Sequence, residues 1–291
     1  MYEAGIDFIV ISHCKADYVK MLIQSIHKYV KNIQYSIYIV NNYIDEIKEQ
    51  RELENIFQDD STVTILKGVD QSETTVIGPS GEFRQHSQEW VGKIDGCRVT
   101  AGSKYGEWGF NIGLKEGQRQ YICALDNDTI FLNEWVEDIL PLIDKYLFIS
   151  NRWDPGNLFR EVTNNVSEFG IARPMFWFMK RFDMEHYNLY PNNDYRDLWG
   201  NITYFAQQNG YDFFILKNSY WNKQMRHRYH ITFHDVKAQH MSNEGHLLDI
   251  PYGEQAWIDD KPIFFHQTRG AYRATAALNE WIEKAGKYLD G

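Results

Sequence analysis

Short apolar runs alternate with amphipathic stretches through the first half of the chain. Ile6 to Ile11 (Ile-Asp-Phe-Ile-Val-Ile) reads as a buried strand, broken by Ser12-His13-Cys14-Lys15. From about Asp17, the residues Val19, Leu22, Ile23, Ile26 and Val30 recur at helical spacing. Asp17 near the start suits the helix dipole. Tyr35 to Val40 is a second strand and ends in Asn41-Asn42. These elements form a βαβ unit whose strands are most simply parallel and adjacent. Ile44 to Phe57 is charged and helical, and Thr62 to Leu66 is a third strand. Residues 67–105 have few periodic apolar positions, so a long loop with a short hairpin is expected there. Around Leu114 a short helix is expected, with Asn111 near its start, where an amide can cap the helix or meet a ligand. Tyr121 to Leu125 is a further buried strand.

The second half is read less sharply. Glu134 to Tyr146 is an amphipathic helix with Trp135, Ile139, Leu142 and Ile143 inward, and Phe148-Ile149-Ser150 is a strand. Asn151 to Gly170 is polar and loop-like. Pro174 to Phe182 is aromatic and strand-like, and its rings suit a core. A helical stretch then precedes Gly210-Tyr211 and the apolar residues Phe213-Phe214-Ile215. Thr275 to Leu289 closes the chain as a helix, with Thr275 as its N-cap. Neither a repeat nor a low-complexity linker is visible. We therefore expect one α/β domain over 1–291, its two halves dividing near residue 130 and sharing one sheet flanked by helices.

Composition narrows the function classes. A hydrophobic fraction of 43% supports a sizeable core. A net charge of -10 argues against a nucleic-acid partner held on a broad basic face. Aromatic residues make up 15% of the chain, enough for a filled core or for flat platforms under sugar rings. Cys14, Cys97 and Cys123 have no metal-ligand spacing and suggest reduced thiols. No run of about 18 apolar residues suggests a membrane span. Met1 to Gly5 lacks a basic segment followed by an apolar one, so a cytoplasmic location is expected.

The candidate chemistry centres on Ala124-Leu125-Asp126-Asn127-Asp128, two carboxylates at the end of a buried strand, with an apolar run, Thr129 to Leu132, directly after. Acids in such a place need a partner. A divalent cation is the simplest one, and oxygen ligands suit Mg²⁺ or Mn²⁺ rather than Zn²⁺. The competing reading is a polar turn, where Asp and Asn are common. In open α/β sheets ligands lie beyond the carboxyl ends of the strands, which places Ser12, His13, Asn41 and Asn42 on the ligand side.

The order of these features resembles the nucleotide-sugar glycosyltransferases of the GT-A fold, most nearly the family 2 type. The matching segments are Ile6 to Ser12, Tyr38 to Asn42, Asn111-Ile112-Gly113 and Ala124 to Asp128, over roughly residues 5–145. Asn41 stands where that family has an Asp that contacts the nucleoside. The resemblance implies a Rossmann-like mixed sheet with a nucleotide-sugar-binding half to about residue 130 and an acceptor-binding half after it. It implies nucleotide-sugar contacts from Ser12, His13, Asn41, Asn42, Asn111, Asp126 and Asn127. It also implies a metal at Asp126 and Asp128, completed by a late histidine. His266 follows an apolar strand and is preferred, and His240 is the alternative. Arg269, just beyond His266, is placed to meet phosphate oxygens. A general base for the acceptor hydroxyl is sought in the acidic segment before the helix ending at Gly210, with Asp197 first and Asp194 second. Helix capping is the plainer role for these acids, and a retaining mechanism would need no base there. Asn151 to Gly170 is the candidate acceptor wall.

The expected function is thus metal-dependent transfer of a sugar from a nucleoside diphosphate, UDP first, to a hydroxyl of a saccharide or other acceptor, with Mn²⁺ or Mg²⁺. A nucleotidyltransferase would share the fold and the paired acids, but Ser12-His13-Cys14-Lys15 has no glycine for a phosphate loop. A non-catalytic sugar- or nucleotide-binding module is the remaining class.

Overall fold

The computed structural model describes residues 2–12, 16–42, 46–68, 92–94, 97–99, 103–154, 171–172, 175–192, 199–222, 227–232, 235–239, 246–250, 253–267 and 275–291. The chain begins β1 (Glu3–Ser12), α1 (Ala16–Tyr29), β2 (Tyr35–Asn41), α2 (Glu46–Phe57) and β3 (Val63–Lys67). A small hairpin, β4 (Gly92–Ile94) with β5 (Cys97–Val99), precedes α3 (Ser103–Glu116). Then come β6 (Arg119–Asp126), β7 (Thr129–Phe131), α4 (Val136–Ile143) and β8 (Phe148–Ser150). The pair β9 (Trp153–Asp154) and β10 (Ile171–Ala172) leads to β11 (Phe176–Lys180), α5 (Arg181–His186), α6 (Gly200–Asn209) and β12 (Phe214–Ile215). The last third holds β13 (Lys217–Asn222), β14 (His227–Thr232), β15 (Asp235–Gln239), β16 (Gly253–Ile258), β17 (Lys261–Gln267) and α7 (Thr275–Asp290).

The central sheet has seven strands in the order β12-β8-β11-β6-β1-β2-β3. β1 pairs in parallel with β2 and with β6, as the βαβ reading required. β11 runs antiparallel to both β6 and β8, so the sheet is mixed but mostly parallel. The apolar runs alternate between its two faces, as a strand buried on both sides must. Phe8 and Val10 of β1, Cys123 and Leu125 of β6, and Phe176 and Phe178 of β11 enter one core with α1, α2 and α4. Ile9 and Ile11, Ile122 and Ala124, and Trp177 and Met179 enter the other with α3 and α6. Trp177 is therefore a core ring, stacked at 4.9 Å on Trp199 and at 4.1 Å on Phe148.

Three expectations are corrected. The halves do share the central sheet, but β7 and the last strands build a second, six-stranded antiparallel sheet, β15-β14-β13-β16-β17-β7. Asn111 does not start its helix, because α3 begins eight residues earlier at Ser103. The glycines explain how that helix packs. A Cβ at Gly113 would meet Ile9, and one at Gly109 would meet Ile11 and Asn42, so glycine lets α3 lie close on β1 and β2. The aromatic strand ends at Lys180, where Arg181 opens α5. Arg181 is buried and donates to Asp7 Oδ2 at 2.9 Å and to the carbonyls of Leu114 and Arg119, each at 2.8 Å.

Candidate metal and donor site

The two sheets meet where β6 ends. Asp126 closes β6 in the central sheet, and Thr129 opens β7 in the second sheet after a two-residue turn. The turn is pinned from both sides. Thr129 Oγ1 donates to the Asp126 carbonyl at 2.6 Å, and the Gln267 amide donates to the Asp128 carbonyl at 2.9 Å. β17 pairs with β7, setting His266 opposite Thr129. His266 is thereby carried to the two acids from more than a hundred residues away.

Asp126, Asp128 and His266 each offer one ligand atom, all within 4.8 Å of one another. His266 Nε2 lies 3.3 Å from Asp128 Oδ1 and 4.0 Å from Asp126 Oδ2. Neighbouring ligands of an octahedral ion with bonds of about 2.1 Å stand about 3 Å apart, and opposite ones about 4.2 Å apart. Both separations thus suit a small divalent ion. Asp128 and His266 are buried, while the Asp126 side chain is 40% exposed, so the site has a closed side and an open one. That is the form needed if the ion also binds an incoming ligand. The donor set fits Mn²⁺ or Mg²⁺, with the imidazole favouring the transition ion.

Behind the histidine lies a group that sequence reasoning missed. Glu254 of β16 is fully buried, and its Oε2 is 3.5 Å from His266 Nδ1. Asn151 donates to Glu254 Oε1 at 2.7 Å, and Asn218 donates to the same oxygen. Arg152 Nη1 is 3.7 Å from Oε2. Burial opposes charge on the imidazole, but Asp128 and Glu254 on either side outweigh it and push His266 up to about 10. Burial likewise opposes charge on Glu254, yet His266, Arg152 and Asn218 hold it below the usual carboxylate range.

This arrangement sets a pH prediction. The folded His266 value lies above its ordinary value of 6.5, so its stabilising effect is complete below about 6.5 and is lost as pH rises through about 10. The metal-free protein should accordingly lose stability between about pH 7 and 10. An ion on Nε2 must displace the proton. Calorimetric titration with Mn²⁺ at pH 7.5 in two buffers of different ionisation enthalpy should show release of about one proton. Binding with no proton release would contradict the placement of the ligand.

Beside the acids, the carboxyl ends of β1 and β2 present Ser12, Asn41 and Asn42, all buried. The Asn42 amide donates to the Ser12 carbonyl at 3.0 Å, and Asn41 Nδ2 donates to Gln50 Oε1 at 3.0 Å. Asn41 Oδ1 has no hydrogen-bond partner among the described residues, and the same is true of Asn127 Nδ2 and Asn111 Oδ1. Asn111 Nδ2 donates to the Pro191 carbonyl at 3.1 Å, so this side chain ties α3 to a neighbouring segment and caps nothing. Buried amide atoms left open at the ligand edge of a parallel sheet are suited to a polar ligand. Gly68 keeps this edge open, since a Cβ there would collide with Asn41 O and Asn42 Oδ1. The structure thus brings Ser12, Asn41, Asn42, Asp126, Asn127, Asp128 and His266 to one edge, with Asn111 on the helix beneath. His13, Asp194, Asp197, His240 and Arg269 lie outside the described residues.

No protein-family model matches the chain, and no curated protein matches it. Among the described residues no helix is long and apolar enough to cross a membrane. Solved structures with a similar chain trace include S. aureus TarS 1-349 in complex with UDP, at 11% identity and a TM-score of 0.44, covering 73% of this chain and 57% of that one. The same protein in complex with UDP-GlcNAc matches at 13% identity and a TM-score of 0.43, with 73% and 56% covered. Mannosyltransferase PcManGT from Pyrobaculum calidifontis in complex with GDP-Man and Mn²⁺ matches at 11% identity and a TM-score of 0.46, with 74% and 55% covered. The matched part therefore spans little more than half the length of these chains.

Proposed function

We propose that this chain is a metal-dependent glycosyltransferase of the GT-A type, taking a nucleoside-diphosphate sugar as donor. The observation that carries the reading is the cluster of Asp126, Asp128 and His266 at the carboxyl edge of the parallel strands. Asp126 and Asp128 with His266 would hold Mn²⁺ or Mg²⁺, which neutralises diphosphate charge and assists departure of the nucleoside diphosphate from the sugar carbon. The open side of Asp126 faces the diphosphate. Ser12, Asn41 and Asn42 hold the nucleoside, with UDP the first donor to test and Asn41 supplying an amide where the family resembled has an acid. Asn127, Asn111 and His13 complete the donor contacts, and Arg269 supplies a guanidinium for the phosphate oxygens. Residues to about 130 form the donor half of one domain, and those after it the acceptor half. The acceptor is a hydroxyl of a saccharide or similar molecule. Asp197 takes its proton in an inverting reaction, with Asp194 as the second candidate.

The test is release of nucleoside diphosphate from a panel of UDP- and GDP-sugars, with and without Mn²⁺. Slow Mn²⁺-dependent hydrolysis of at least one donor is expected even without acceptor. The absence of both turnover of any donor and Mn²⁺-dependent binding of UDP or GDP would sink the proposal.

A further inference from the structure

We propose that Glu254 is the positioning residue that sets the tautomer of His266 and aims its Nε2 at the metal. The inference rests on the metal reading of Asp126, Asp128 and His266 given above.

The backbone places the pair. Glu254 on β16 and His266 on β17 are direct cross-strand partners, so their side chains leave the same face of the second sheet. A buried carboxylate beside Nδ1 accepts a hydrogen bond from Nδ1–H. Fixing the proton there leaves the Nε2 lone pair for a cation, and Nε2 is the atom that faces Asp126 and Asp128. Glu254 is itself held rigidly. Asn151 and Asn218 both donate to Oε1, and this leaves Oε2 toward the ring. Asn151 also accepts from the Phe176 amide at 3.0 Å, which anchors the carboxylate to the central sheet. A fully buried acid with two amide donors and a guanidinium nearby is expensive to assemble as packing alone. Its geometry matches the outer carboxylate of a carboxylate–histidine–metal arrangement.

Glu254→Gln is nearly isosteric. Its Oε1 still accepts from Asn151 and Asn218, but an amide Nε2 next to the ring donates to Nδ1. The imidazole proton then sits on Nε2 and blocks the lone pair. Mn²⁺ binding, followed by the electron paramagnetic resonance signal of free Mn²⁺, should weaken about 10–100-fold in this variant. In a His266→Ala background, Glu254→Gln should change Mn²⁺ affinity less than twofold, because no ring is left to orient. A comparable loss in both backgrounds would show that Glu254 acts on the fold at large and overturn the proposal. So would wild-type affinity in the single variant. Saturable Mn²⁺ binding absent from the wild type would instead overturn the metal reading, and this proposal with it. A measurement on the wild type does not depend on the variant folding. With ¹⁵N-labelled histidine and diamagnetic Mg²⁺, the His266 ring should carry its proton on Nδ1. A proton on Nε2 would contradict the assignment.

Discussion

Asp128→Ala is expected to lower metal-dependent turnover of a nucleoside-diphosphate sugar by about 10³-fold while leaving the fold intact. The magnitude follows from an ion whose stabilisation of a leaving diphosphate is worth several kcal/mol, with about 1.4 kcal/mol for each factor of ten. Asp128 is the more buried of the two acids and lies nearer His266, so its removal breaks the closed side of the site. The substitution also removes an acid that faces a buried imidazole, and this should cost the metal-free protein little at high pH, where the ring is neutral. Turnover with and without Mn²⁺, compared with circular dichroism on the same sample, separates the two effects. Activity within tenfold of wild type would show that Asp128 is not a ligand.

The second large effect concerns stability and has nothing to do with the ligand edge. Arg181→Met should destabilise the protein by about 3–5 kcal/mol, because it strands a buried carboxylate. Asp7 is fully buried, and its Oδ2 accepts from the Arg119 amide at 2.7 Å and from Arg181. Burial raises the Asp7 value, and the Arg119 amide and the Arg181 charge work against that rise. Pairing Arg181→Met with Asp7→Asn removes both charges and should recover much of the loss. Urea unfolding of the two variants provides the comparison, and a single-variant loss below about 1 kcal/mol would refute the account. Mn²⁺ affinity should stay unchanged. In register Asp7 pairs with Ile122 while Ile11 pairs with Asp126, so the ion pair sits four residues, about 13 Å, from the metal edge.

How far the sequence could be read follows from the same particulars. β1, β2, β6 and β8 were legible because each is a short apolar run between polar breaks, and strands buried on both faces have no other pattern. Asp126, Asp128 and His266 were legible because each stands at a break in such a run. α3 was misplaced because Gly106, Gly109 and Gly113 weaken its helical signal, while the closeness of Gly109 and Gly113 to β1 and β2 is a tertiary matter. Glu254 was illegible for a geometric reason. Counting back from the two-residue turn Asp259-Asp260, a regular hairpin would set Glu254 against Phe265. The register shift between Ala256 and Trp257 moves the pairing by one and brings His266 opposite instead. A single irregular residue thus decides which side chain meets the acid. Nothing in the composition of Gly253 to Gln267 announces it.

The seam between the sheets has a further consequence. Two of the proposed metal ligands belong to the end of β6 and its turn, and the third to β17, so an ion bound there would be a clasp between layers that fold from distant parts of the chain. Whatever binds only the assembled clasp draws the folding equilibrium toward closure, by about 2.7 kcal/mol at a hundred times its dissociation constant. The persistence of the folded chain would then follow the supply of that ion around it, and depletion of the ion would leave the protein easier to unfold.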